Sequence, residues 1–193
     1  MIGGKLQKVD QYIIMKADNG FTYINWAQAT GMCHVLIREI TLANWRPEYV
    51  VGLTRGGLAP GVMLSHYYEV PFKSLHVSFI DAPEEQESMK ELTKLFLKSK
   101  KVLIVDDIND TGRTINHIKD NVWFDADEHF DLFGYKDEEE FLKQKKYDLR
   151  FAVLVHNEAS DADVNYSAKH INKMENPEWV VFPWENWWEA LPK

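Results

Sequence analysis

The sequence has little of what marks secreted, membrane-spanning or nucleic-acid-binding proteins. Its single cysteine, Cys33, excludes a disulfide framework within the chain and fits a reducing compartment, so we expect a cytoplasmic protein. No apolar run approaches the ~20 residues of a membrane-spanning helix, and the first residues lack the apolar stretch of a secretory signal. The formal net charge of −8 argues against nucleic acid as a partner, because that partner needs a basic surface. A phosphorylated ligand is compatible with this charge, since local amides and a few cations bind phosphate.

The apolar residues form short strands that alternate with helices. With 193 residues and 45% hydrophobic content, the chain has the size and composition of one compact domain. The alternation predicts an α/β fold in which helices flank a mostly parallel sheet, with ligands at the carboxyl ends of the strands. A β-hairpin with a turn at Asn19-Gly20 is predicted before the first helix. Strands are predicted at residues 49–53, 75–79, 102–105, 151–155 and 179–182, and helices at residues 26–44, 58–68, 89–97 and 114–121.

The segment after the strand at residues 102–105 carries the strongest functional signal. Asp106 and Asp107 follow that strand directly, and their ionised carboxylates suit the hydroxyls of a ribose or a Mg²⁺ ion. A Thr-Gly-Arg-Thr sequence then starts a predicted helix, where free N–H groups, the helix dipole and two hydroxyls favour a phosphate dianion. The residues predicted to bind the phosphate are Thr111, Gly112, Arg113 and Thr114. The pattern therefore predicts a ribose 5-phosphate site.

A second loop follows the strand at residues 49–53. Its paired glycines, Gly56 and Gly57, expose backbone amides at a strand-to-helix turn, and Arg55 adds a bidentate donor for oxyanions. An ordinary turn with a surface arginine is the alternative interpretation of this loop. For the first loop the alternative is an acidic pair that binds Mg²⁺ as in receiver domains and phosphatases, which leaves the Thr-Gly-Arg-Thr sequence unexplained.

Three segments resemble one known family, the type I phosphoribosyltransferases. Residues 106–114 resemble the family's signature, and residues 54–61 resemble the pyrophosphate loop of its xanthine-guanine members. Residues 179–185 resemble the C-terminal Trp-Ile-x-x-Pro-Trp-Asp of the same members. The resemblance implies a type I phosphoribosyltransferase fold with a twisted sheet and a small hood. It also implies 5-phosphoribosyl 1-pyrophosphate (PRPP) and a nucleobase as substrates, with Mg²⁺ as cofactor.

The resemblance also implies roles for individual residues. Asp110 is expected to accept the N7 proton of a purine, and Arg55 to stabilise the leaving pyrophosphate. Trp179 is expected to stack on the base, and the backbone of Val180 to meet its edge. Asn157 stands where the family has a lysine that contacts the exocyclic oxygen of the base, so the preference for one base is left open.

The cation site is expected at the acidic pair. Asp106 and Asp107 are the candidate Mg²⁺ ligands, and Glu185 is a weaker candidate that would act through water.

The resemblance predicts one domain over residues 1–193. Its core is expected at about 45–156, its hood at about 1–25 and 157–193, and an acidic, aromatic insertion at about 121–148. We expect a homo-oligomer, a dimer or a tetramer. The predicted activity is purine salvage, in which guanine, xanthine or hypoxanthine receives the phosphoribosyl group and pyrophosphate is released. The alternatives are a non-catalytic PRPP-sensing regulator and a transferase for another base.

Overall fold

The computed structural model describes residues 15–16, 20–77, 83–98, 100–127 and 148–185. Within these ranges four helices and eight strands alternate along the chain. The strands are β1 (Met15–Lys16), β2 (Phe21–Tyr23), β3 (Tyr49–Leu53), β4 (Phe72–Leu75), β5 (Val102–Asn109), β6 (Leu149–Asn157), β7 (Tyr166–Ile171) and β8 (Trp179–Val181). The helices are α1 (Trp26–Leu42), α2 (Leu58–Tyr68), α3 (Pro83–Leu97) and α4 (Arg113–Asp127). None of these helices combines the length and apolar character needed to cross a membrane.

The main sheet has five parallel strands in the order β4-β3-β5-β6-β7. This arrangement confirms the predicted α/β class. Because all five strands run the same way, the loops that follow β3, β5 and β6 emerge at one edge of the sheet. The two loops singled out in the sequence follow β3 and β5, which are hydrogen-bonded neighbours.

The core lies on both faces of this sheet. Along β5, Leu103 and Val105 pack into one buried cluster with α1 and α2, whereas Val102 and Ile104 pack into a second with α3 and α4. A strand covered on both faces reads as a continuous apolar run, which is why β5 gave a clear sequence signal. Packing of helices on both faces therefore holds β5 in place, and β5 in turn positions the loop that follows it.

A small second sheet joins the two ends of the described chain. Its order is β1-β2-β8, with β1 antiparallel and β8 parallel to β2. Asn25 ends this segment and caps α1, because its side chain accepts a 2.9 Å hydrogen bond from the N–H of Gln28. The Gln28 side chain accepts in return from the N–H of Asn25, which completes a capping box.

The structure differs from the sequence prediction at several strands. The strand predicted at 75–79 forms instead at residues 72–75, where the backbone pairs with β3. β5 continues to residue 109, so the acidic pair lies inside the strand. Residues 166–171 were expected in the hood, but they form β7 of the main sheet. Most of the predicted insertion, residues 128–147, and the outer parts of the predicted hood lie outside the described residues.

Candidate active site

Asp106 and Asp107 lie in the last part of β5, at the carboxyl edge of the sheet. Successive residues of a strand point to opposite faces of the sheet, so the side chains of the two acids leave β5 in opposite directions. Asp107 is 9% exposed and lies against the turn after β3 and the indole of Trp184. The N–H of Asp107 donates a 2.9 Å hydrogen bond back to Oδ1 of Asp106. Asp107 is therefore buried and Asp106 half-buried, and the backbone of one bonds to the side chain of the other.

The two carboxylates are poorly solvated, and this changes their proton affinity. Burial raises the pKa of Asp107 to about 6, and the negative charge of Glu185 adds to the increase, whereas the N–H of Trp184 opposes it. Burial and the neighbouring Asp107 raise the pKa of Asp106 well above its usual range. Any ligand that brings hydrogen-bond donors or positive charge to the two carboxylates therefore stabilises their ionised forms.

The donor set suits a magnesium ion that is shared with a substrate. No group of three or more acidic, histidine or cysteine side chains in the described ranges is arranged to hold a metal. The protein offers the carboxylates of Asp106 and Asp107, and Mg²⁺ commonly takes one or two carboxylates and completes its shell with water and phosphate oxygens. Glu185 is near enough to influence Asp107, but one of its oxygens accepts a 3.2 Å hydrogen bond from the N–H of Phe182.

The loop after β3 packs directly on the acidic pair. The peptide bond between Thr54 and Arg55 is cis. A Cβ atom at Gly56 would lie 2.3 Å from the carboxylate of Asp107, so only glycine fits at this contact. Gly57 is buried, and the Arg55 side chain is exposed at the mouth of the site. The two loops thus meet where Gly56 packs against the carboxylate of Asp107.

The turn before α4 has the form of a phosphate cradle. Gly112 has a φ of +85°, and a Cβ atom there would lie 2.5 Å from the backbone nitrogen of Ala162. Glycine is therefore required both by the backbone conformation and by the loop packed against it. α4 begins at Arg113, and the N–H groups of a first helical turn have no partner within the helix. Within the turn, the hydroxyl of Thr111 accepts a 3.4 Å hydrogen bond from the N–H of Arg113.

The loop after β6 braces this cradle. The buried Asn109 donates a 2.6 Å hydrogen bond to the carbonyl of Ala162 and accepts one of 3.0 Å from the hydroxyl of Ser160. The N–H of Asp161 donates to the carbonyl of Thr111 at 3.2 Å. These hydrogen bonds hold the turn in one position relative to the sheet. A phosphate site needs such support, because its backbone N–H groups must point at the oxygens of one phosphate.

Asp110 forms an ion pair that the sequence did not indicate. Nζ of Lys173, two residues beyond β7, donates a 2.8 Å hydrogen bond to Oδ2 of Asp110. The same ammonium lies 5.7 Å from the centre of the Trp179 ring, and this ring is 61% exposed. A carboxylate, an ammonium and an open indole therefore lie together beside the cradle.

Asn157 holds the chain around this group. Its amide nitrogen donates to the carbonyl of Asp110 at 2.9 Å, and its oxygen accepts from the backbone N–H of Lys173 at 3.1 Å. The side chain is 6% exposed. Its polar atoms thus join the segments that carry Asp110 and Lys173, and its expected contact with a base stays a prediction. Val180 is also buried, in β8, where it pairs with Thr22 of β2, and its expected backbone contact with a base stays a prediction.

A family model described as a phosphoribosyl transferase domain matches residues 27–122, about half of the chain and all of both loops. The chain belongs to the phosphoribosyltransferase family. Xanthine phosphoribosyltransferase 1 of Saccharomyces cerevisiae is 20% identical over 88% of this chain and 91% of its own length. Hypoxanthine-guanine phosphoribosyltransferase of the same yeast is 23% identical over 87% of each chain. The crystal structure of purine phosphoribosyltransferase from Pyrococcus horikoshii is similar in fold, with a TM-score of 0.56 and 24% identity over 89% of this chain and 95% of that one.

Within this phosphoribosyltransferase, Lys173 is the site residue that sequence reasoning missed. The family's lysine corresponds to the end of β6, where this chain has Asn157. Here the ammonium of Lys173 comes instead from just after the neighbouring strand, β7. A parallel neighbour ends at the same edge of the sheet, so residues after β7 reach the same place as residues after β6. The sequence feature that could have identified it is a lysine six residues before Trp179, within the segment that was assigned to the hood.

Proposed function

We propose that this phosphoribosyltransferase transfers the 5-phosphoribosyl group of PRPP to a 6-oxopurine, such as guanine, xanthine or hypoxanthine, in nucleotide salvage. One observation carries the choice of base. The Lys173 ammonium lies between the carboxylate of Asp110 and the open face of Trp179, next to the cradle before α4. A 6-oxopurine needs a group that accepts its N7 proton, a hydrogen-bond donor to its exocyclic oxygen and a flat apolar surface for its ring.

The two loops divide the sugar substrate between them. The turn at residues 111–114 takes the 5-phosphate, and the carboxylates of Asp106 and Asp107 accept hydrogen bonds from the ribose hydroxyls. Arg55 and the amide of Gly56 take the pyrophosphate, whereas the N–H of the buried Gly57 is already engaged with the carbonyl of Leu53 at 2.9 Å. Asp106 and Asp107 would hold a Mg²⁺ ion, and this ion would supply positive charge for the pyrophosphate. The names of the yeast relatives and of the Pyrococcus structure support this assignment, since all are purine transferases.

The reaction exchanges one bond at C1′ of the ribose. The C1′–oxygen bond to pyrophosphate breaks and the oxygen keeps the electron pair, while N9 of the purine forms the new bond to C1′. The resulting positive charge on the base is relieved when Asp110 accepts the proton from N7. Its carboxylate is held for this step by Lys173 at one oxygen and by Asn157 at 3.3 Å from the other.

Lys173 also explains a preference for oxopurines over aminopurines. An ammonium has three N–H donors and no acceptor, and one donor is engaged by Asp110. A second donor can reach a carbonyl oxygen on the six-membered ring, whereas an exocyclic amine would place donor against donor. Rejection of a base that leaves buried polar groups unpaired is typically strong.

The experiment is a base panel with matched lysine variants. Purified protein is incubated with PRPP, Mg²⁺ and guanine, hypoxanthine, xanthine or adenine, and nucleotide and pyrophosphate are measured. We expect turnover with the oxopurines, and a fall of at least tenfold in kcat/KM for them in Lys173→Met. Lys100→Met is the control, because Lys100 pairs with Glu48 before β3 begins. Tight binding of PRPP without product would support a sensor instead, and equal rates with adenine would contradict the oxopurine assignment.

Location and assembly belong to the same proposal. We place the protein in the cytoplasm, which a single unpaired cysteine fits. We propose a homo-oligomer, a dimer or a tetramer. Light scattering on the purified protein distinguishes these from a monomer.

A further inference from the structure

Trp184, just after the small sheet, reaches across to the sugar site. Its Nε1 lies 3.3 Å from Oδ2 of Asp107 and donates to that oxygen. An indole N–H can only donate, and an ionised carboxylate can only accept, so the direction of this bond is fixed. The contact joins residues 77 positions apart in the chain.

The indole is fixed by two other aromatic rings. It stacks on Phe182 with centroids 5.1 Å apart and planes at 10°, and it meets Trp26 edge-on at 5.8 Å. Phe182 is 1% exposed and belongs to the main core, so the stack is anchored there. Offset and edge-on aromatic contacts of this kind restrict the orientation of a ring. The N–H therefore points at Asp107 because the ring has been placed by its own packing.

Asp107 needs such a contact to keep a defined orientation. Its carboxylate abuts the backbone of Gly56, where even a Cβ atom would be only 2.3 Å away. The Trp184 N–H takes one of roughly four lone-pair positions of the carboxylate, and the backbone N–H of Ile108 also bonds to it. The remaining positions can accept from ribose hydroxyls, provided the group does not rotate away.

We propose that Trp184 is a positioning residue that holds the Asp107 carboxylate in register with the ribose hydroxyls of PRPP. This inference rests on the proposed function. It assigns Trp184 to the sugar phosphate although its segment lies beside Trp179, the expected platform for the base. A tryptophan that only packed the hood would instead affect the base, the overall stability, or both.

The test compares two tryptophans that share one aromatic contact. Trp184→Phe keeps a ring on Phe182 and removes the N–H, whereas Trp26→Phe alters the same edge-on contact and leaves the bond to Asp107 intact. We expect Trp184→Phe to raise the KM for PRPP about tenfold, the size of one hydrogen bond to a charged group. The KM for the base should stay within about twofold, and Trp26→Phe should leave both values near wild type.

Several outcomes would overturn the inference. These are equal effects of the two substitutions, a rise confined to the KM for the base, or an unchanged KM for PRPP in Trp184→Phe. Should Trp184→Phe not fold, Trp184→Leu, which also lacks a hydrogen-bond donor, serves in the same comparison. Wild-type protein that fails to make any nucleotide would defeat the proposed function itself. An active wild type with an unaffected Trp184 variant would defeat only the role of Trp184.

Discussion

Replacing a site carboxylate should make the ligand-free protein more stable while abolishing its activity. Asp107 is 9% exposed, and burial raises its pKa from an ordinary value of 3.8 to about 6. A difference of about two pKa units corresponds to about 3 kcal/mol between the two protonation states. The folded protein bears this cost whenever the carboxylate is ionised, and Asp107→Asn removes it because an amide does not ionise.

The sign of the effect depends on pH. Because the pKa is raised on folding, the folded state holds its proton more tightly, and stability is lost as the pH rises from about 4 to about 6. Above that window Asp107→Asn should increase the free energy of unfolding by about 3 kcal/mol, or roughly 6–12 °C in Tm for a chain of this size. Below about pH 4 both side chains are neutral and the difference should vanish.

Denaturant unfolding with a metal chelator present, at about pH 4 and about pH 7.5, measures this difference. Asp120→Asn, at an exposed position on α4, is the control for removing one negative charge. PRPP with Mg²⁺ should raise the Tm of the wild type and have little effect on Asp107→Asn. A loss of stability in Asp107→Asn near neutral pH, or a change that is equal at both pH values, would refute the reasoning.

Two further substitutions test the chemistry and the cradle. Asp110→Asn should lower kcat by about 10²-fold or more with smaller changes in KM, because the amide cannot accept the N7 proton. A steady-state assay measures this, with Asp120→Asn as the control. A near-normal kcat would contradict the role of Asp110. Gly112→Ala should weaken PRPP binding and cost about 2 kcal/mol more stability than Gly20→Ala, since both positions have positive φ but only Gly112 has backbone in the way. Calorimetry and denaturant unfolding check these values, and equal effects of the two glycine substitutions would contradict the packing argument.

The parts of the fold with strong local signals were predictable. β3 and α2 have the predicted boundaries, because an apolar run ends at a glycine-rich turn and an apolar helix follows. α1 begins at residue 26 as predicted, directly after its cap Asn25. β7 was not predicted, since its polar residues 167, 169 and 170 lie on an edge strand and break the apolar run.

The candidate site was predictable where one loop carries several groups. Asp106, Asp107 and the turn at 111–114 are contiguous, so their proximity followed from the sequence. Lys173 and Trp184 reach the site from separate segments, and only the register of β6 with β7 and the packing of the aromatic rings bring them there. Such contacts depend on tertiary structure, which local patterns do not encode.

The proposed function depends on a 5-phosphate binding at the turn of residues 111–114. A crystal structure of the protein with guanosine 5′-monophosphate tests this directly. We expect the phosphate on the amides that start α4, with the ribose hydroxyls within hydrogen-bond distance of Asp106 and Asp107. A phosphate bound elsewhere, with the turn vacant and both carboxylates directed away from the sugar, would contradict it.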